Sequence, residues 1–113
     1  MKPLHEKSCK ACRGDLPTLT LEEQKKFLSQ LKEWTIADNR LKKEYRFKNF
    51  KEGLAFVNRI GDLAEKEGHH PDLYLSWGIV KVEIWTHKVQ GLTESDFILA
   101  AKCDLDFVHF LPW

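Results

Sequence analysis

Cysteine is scarce and odd in number: Cys9, Cys12 and Cys103 among 113 residues. An odd count argues against a disulfide framework. A chain of this length with 42% hydrophobic residues does not need one to build a core. Excess charge is also missing. Lysine plus arginine number 18 against 17 aspartates and glutamates, a formal net charge of +1. Such a balance offers no basic field to hold a phosphate backbone, so nucleic acid is not expected as a direct partner. No run of about 18 apolar residues exists, so no transmembrane helix is expected. The first thirteen residues are polar and lack the apolar segment of a secretory signal. The expected compartment is the cytoplasm.

What the chain does have is aromatic weight, with seven Phe and four Trp, and a length that fits one compact domain. Residues 1–18 read as an N-terminal arm with no clear period, and residues 19–113 as the domain. Thr20-Leu21-Glu22-Glu23 has the form of a capping box. It opens a helix carrying Leu21, Phe27, Leu28 and Leu31 to about Lys32. Trp34–Ala37 and Leu41–Phe47 read as strands around an Asp38-Asn39 turn, with Lys43 interrupting the apolar face of the second. Phe50, Leu54, Val57, Ile60 and Ala64 follow helical spacing, and Gly68 is placed to end that helix. Tyr74–Trp77 reads as a strand. Ile79–His87 alternates more clearly, with Val80, Val82, Ile84 and Thr86 on one face and Lys81, Glu83, Trp85 and His87 on the other. Thr93 caps a last helix, with Asp96 at the position of the capping-box acid. This order predicts an α+β domain: a four-stranded antiparallel sheet with helices packed on one face.

Chemistry concentrates at element ends. His69 and His70 follow a helix, and His87 ends a strand. Glu65 lies four residues before His69, Asp96 nine after His87, and the aromatic Trp77 lies between. Acids, bases and a flat apolar surface suit a flat heteroaromatic ligand. Each residue also has a plain structural reading: surface histidines before a proline, Asp96 as helix N-terminal chemistry, Trp77 as core. A zinc site built from the three histidines and an acid is the rival. Adjacent histidines in extended chain diverge, however, and no HxH or HxxxH spacing is present. Cys9-Lys10-Ala11-Cys12 is half of a structural zinc site, which Cys103 and His5 could complete only if the arm folds back. Two free thiols are the preferred reading.

The stretch Glu65-Lys66-Glu67-Gly68-His69-His70-Pro71, followed by Trp77, His87 and Asp96, resembles the pterin-4a-carbinolamine dehydratase family in residues and spacing. Arg46-Phe47-Lys48-Asn49-Phe50 and Gly91-Leu92-Thr93 also resemble it. The resemblance covers about residues 20–105, and the CxxC arm is similar to that of some bacterial members that work with a phenylalanine hydroxylase.

The resemblance implies the same α+β fold, homodimers or tetramers, and no metal or organic cofactor. It implies dehydration of 4a-hydroxytetrahydrobiopterin to quinonoid dihydrobiopterin, which recycles the pterin of aromatic amino acid hydroxylases. A non-catalytic dimerisation module, or a pterin on the molybdopterin route, is the alternative. The reaction expels a poor leaving group, which must depart protonated, while a ring nitrogen loses a proton. Imidazole suits both tasks. By resemblance His69 and His87 are the acid–base candidates and His70 binds or orients substrate. Glu65, Trp77 and Asp96 are the expected substrate-binding residues, Asp96 with the further option of orienting His87 or capping its helix.

Overall fold

The computed structural model describes residues 3–7 and 18–110, with the backbone alone at residue 110. In chain order the elements are α1 (Leu21–Leu28), β1 (Thr35–Ala37), β2 (Arg40–Arg46), α2 (Phe50–Glu67), β3 (Asp72–Ser76), β4 (Ile79–Ile84) and α3 (Glu94–Phe110). The four strands form one antiparallel sheet in the order β1-β2-β4-β3. Because side chains alternate along a strand, one face takes Leu41, Tyr45, Val80, Val82 and Ile84, all buried, and the other takes Lys42, Glu44, Lys81 and Glu83. The helices cover the apolar face, giving the expected α+β architecture. Asp38 and Asn39 both have positive φ, 55° and 59°, as a two-residue hairpin turn between β1 and β2 requires.

Lys43 interrupts the apolar face of β2, and the fold resolves the interruption rather than exposing it. Its ammonium meets the Asp104 carboxylate of α3 at 2.8 Å. Asp104 also accepts from the Trp34 indole at 2.9 Å and from the Tyr45 hydroxyl. Burial, followed by the nearby Cys103 and Asp104, pushes the Tyr45 phenol far above its ordinary range, so it stays protonated and donates.

Two features of α2 bear on the site. Asn49 caps its start by accepting from the Glu52 amide at 2.8 Å, and Gly53, Phe56, Ile60 and Ala64 bury one face. Gly68 ends it in the left-handed region at φ 66°, where an L side chain is strained. The His69 amide then donates back to the Ala64 carbonyl at 3.2 Å, the long bond of a Schellman-type stop. A largely buried ion pair from Lys102 to Glu67 at 2.7 Å fastens this end of α2 to α3.

Several boundaries differ from the sequence expectation. The first helix ends at Leu28 rather than near Lys32. Ser29 turns its hydroxyl onto the Lys26 carbonyl, and Gln30 and Leu31 make shorter three-residue backbone bonds. Leu21 is exposed rather than part of the buried stripe. β3 begins at Asp72 and stops before Trp77, which lies in the turn to β4. β4 stops at Ile84, and the chain continues to one isolated bridge between Thr86 and Gly91. In the arm, Leu4–Glu6 form a 3₁₀ turn, with Leu4 buried and Lys7 paired with Glu94 at 2.6 Å. Cys9, Cys12 and residues 111–113 lie outside the described residues. Among the described residues no helix is long and apolar enough to cross a membrane.

Candidate active site

The Gly68 stop sends the chain back along β4. β3 pairs with β4 from Asp72 opposite Glu83 onward. Carrying that antiparallel register back toward the helix sets position 69 opposite 86 and position 70 opposite 85. Alternation then aims residue 69 at the core, as Thr86 is, and residue 70 at the opposite face. The side chains agree: His69 is 6% exposed and Thr86 2%, whereas His70 is exposed. The adjacent histidines therefore diverge. His69 Nε2 lies 2.7 Å from Asp96 Oδ1 in the interior. His70 Nε2 lies 2.5 Å from Glu65 Oε2 at the surface, across the last turn of α2.

Asp96 is the hub of the buried half. Its Oδ2 accepts from the backbone amide of Thr93 at 2.8 Å and from the Thr86 hydroxyl at 2.8 Å. The hydroxyls of Thr86 and Thr93 are 3.0 Å apart. The bond to the Thr93 amide is the capping-box contact expected of an acid at the third position of α3. Asp96 is fully buried and both its oxygens are engaged by groups of the chain itself. Its histidine partner is His69, not His87. The pairing spans 27 residues of sequence, and only the antiparallel return of the chain brings it about.

His87 lies just past the Thr86 bridge, exposed, with its ring stacked on Trp85 at 4.3 Å between centroids and 18° between planes. The Arg40 guanidinium sits over Trp85 at 3.9 Å and pairs with Glu83 at 3.1 Å. His69, His70 and His87 thus share one end of the β3–β4 pair, each with its own partner. Trp77 does not share that end. It is 68% exposed in the opposite turn, with the six residues of β4, about 20 Å of strand at about 3.3 Å per residue, between it and His87. Within one chain that strand separates it from the three histidines, and its expected role among the substrate-binding residues is not placed with them.

Sequence reasoning alone does not single out Thr86, Thr93, Trp85 or Arg40. The alternation of 80–87 puts Trp85 on the His87 face and Thr86 on the core face; a polar Thr on an apolar face is the available signal. Among the described residues no three His, Cys, Asp or Glu side chains gather as metal ligands would. A cleft of about 470 Å³ lined by Leu31, Lys43, Ala101, Asp104 and Leu105 contains none of the three histidines.

An open-faced sheet with a buried histidine–carboxylate pair and two solvent-facing histidines at one end defines a small α+β protein whose titratable side chains gather at that end. Comparison with known proteins makes this specific. Residues 17–105 match the family model described as pterin 4 alpha carbinolamine dehydratase. A protein of Alkaliphilus metalliredigens named as a pterin-4-alpha-carbinolamine dehydratase is 55% identical over 106 residues, covering 92% of this chain and 96% of that one. One of Rickettsia bellii with the same name is 53% identical, covering 90% and 92%. The crystal structure of a transcriptional coactivator/pterin dehydratase from Brucella melitensis superposes with a TM-score of 0.76 at 29% identity, over 80% of this chain and 98% of that one. A pterin dehydratase-like RuBisCO assembly factor of the alpha-carboxysome shares the fold alone, at 20% identity and a TM-score of 0.54. The chain belongs to the pterin 4 alpha carbinolamine dehydratase family, and with it to the hydro-lyases.

Proposed function

We propose that the chain dehydrates 4a-hydroxytetrahydrobiopterin, or a closely related 4a-carbinolamine, to the quinonoid dihydropterin and water. In this reading His69 and His87 exchange protons with the substrate and His70 orients it. Glu65 steadies His70, and Asp96 acts by holding His69. The observation that carries it is the His69–Asp96 contact: a buried carboxylate 2.7 Å from an imidazole fixes the ring where a proton-transfer group must be fixed. His87 completes the set from the turn that follows β4, held against Trp85. The reaction returns the pterin of an aromatic amino acid hydroxylase, so phenylalanine hydroxylase is the functional partner. The working form is a homodimer or tetramer in the cytoplasm, with an edge strand of the sheet available for pairing.

A second reading is a dimerisation or binding module on the same fold. It is favoured by the exposed Phe50 and Leu54 on α2. The Brucella melitensis protein, described as a transcriptional coactivator as well as a pterin dehydratase, favours it too. Initial rates on freshly generated 4a-hydroxytetrahydropterin, measured against spontaneous dehydration, separate the two. His69→Ala and His87→Ala should each lose about 10²–10⁴-fold, the range for removing a proton-transfer group, down to the floor set by the uncatalysed reaction. His70→Ala should raise KM more than it lowers kcat. A wild-type chain that turns over no faster than buffer would replace the dehydratase by the binding module.

A further inference from the structure

The hydrogen bonds around Asp96 have a direction that the chemistry of the groups fixes. The Thr93 amide can only donate, and it donates to Oδ2. The Thr86 hydroxyl has one proton, and it is given to the same oxygen. The contact between the two hydroxyls must then run from Thr93 to Thr86, since Thr86 has nothing left to give. A carboxylate only accepts, so the proton between Asp96 Oδ1 and His69 belongs to Nε2 of the imidazole. With Nε2 protonated, the neutral ring carries its free lone pair on Nδ1. Among the described residues no buried side-chain nitrogen or oxygen lacks a partner, and the only polar contact of the His69 ring is through Nε2. The residual 7% exposure of the His69 side chain therefore includes Nδ1.

We infer that Thr86 is a positioning residue: its hydroxyl, itself held by Thr93, locks the Asp96 carboxylate so that His69 keeps its proton on Nε2 and turns Nδ1 to the substrate. Asp96 has two rotatable side-chain bonds and is fully buried, so protein groups alone hold its plane. Without the Thr86 donor, Oδ2 keeps only the Thr93 amide, and the carboxylate plane is free to rotate away from Nε2. The ring then loses both its orientation and the preference for one tautomer. The inference rests on the dehydratase reading only for the identity of the reacting group; the tautomer itself is independent of activity.

The experiment uses the full chain labelled with ¹⁵N at histidine, wild type and two variants. Ring nitrogen shifts report which nitrogen carries the proton, and rates on the carbinolamine report catalysis. In the wild type His69 should show protonated Nε2 and bare Nδ1. Thr86→Val keeps the side-chain shape, removes the donor, and should mix the two tautomers and lower kcat about tenfold, the scale of one hydrogen bond to a charged group, with KM little changed. Thr86→Ser restores the hydroxyl and should recover both the wild-type nitrogen pattern and most of the rate. A wild-type His69 with its proton on Nδ1 would overturn the inference whether or not any variant folds. So would a folded Thr86→Val with unaltered tautomer and kcat, or a Thr86→Ser no better than Thr86→Val. A correct tautomer in a chain without turnover would instead count against the dehydratase and leave the hydrogen-bond assignment standing.

Discussion

At the scale of single residues, the two adjacent histidines show how one position of sequence separates two environments. His69 is built into the interior and His70 rests on the surface against Glu65. Substitutions should separate them equally well. Asp96→Asn keeps size and shape. Its amide oxygen can still take the Thr93 and Thr86 donors, which leaves the NH₂ group facing Nε2 of His69. Two donors cannot face each other, so the imidazole proton must move to Nδ1. The expected result is a stability loss of about 1 kcal/mol, within the range for one altered hydrogen bond, with a fall in kcat well beyond tenfold. Denaturant melts beside initial rates check it, and equal losses in stability and activity would contradict it. The histidines and acids gathered here were noticeable in the sequence one by one, because such residues at element ends stand out. Their pairing was not. Asp96 is nearer in sequence to His87, yet the β3–β4 register brings it to His69.

At the scale of elements, α2 and β4 were legible because burial enforces a period, and the start of α3 because Thr93 and Asp96 form a capping pattern. Phe56, Ile60 and Ala64 are hidden on one side of α2, and Val80, Val82 and Ile84 on one side of β4. The end of α1 was not legible, because Leu31 continues the helical spacing after the backbone has left it. Trp77 misled for a similar reason. An aromatic beside a strand looks like a face residue, but here it occupies the turn. The stop after α2 carries the clearest consequence for the site. Gly68 at φ 66° is what turns His69 inward within one residue. Gly68→Ala should cost about 1–2 kcal/mol, the penalty of a left-handed residue with a Cβ. It should also lower kcat by loosening the His69–Asp96 contact. Thermal melts and rates on the same preparation test this. A variant stabilised by the substitution would show that the left-handed conformation is not required.

At the scale of the whole molecule, α3 carries two carboxylates that each gather several donors, Asp96 fully buried near its start and Asp104 part-buried two turns on. The second makes stability sensitive to alkali. The Tyr45 phenol is held protonated far above its ordinary range by burial, Cys103 and Asp104. The unfolded chain ionises that phenol near pH 10 and the folded chain does not. Its contribution is therefore fully present below about pH 10 and is lost as pH rises beyond. The midpoint of thermal unfolding should fall above that pH in the wild type, and less steeply in Tyr45→Phe. Equal slopes would remove Tyr45 from the explanation. The first two turns of α3 carry a different consequence. Phe97, Ile98, Leu99 and Ala100 are all buried, so this stretch has no solvent face from which to fray. Its amide protons should be among the slowest in the chain to exchange with deuterium, opening only when the whole domain does. Asp96 sits in the first of those turns. The carboxylate that holds His69 is thus set in a stretch with no solvent face, and its grip on the imidazole should last as long as the native state itself.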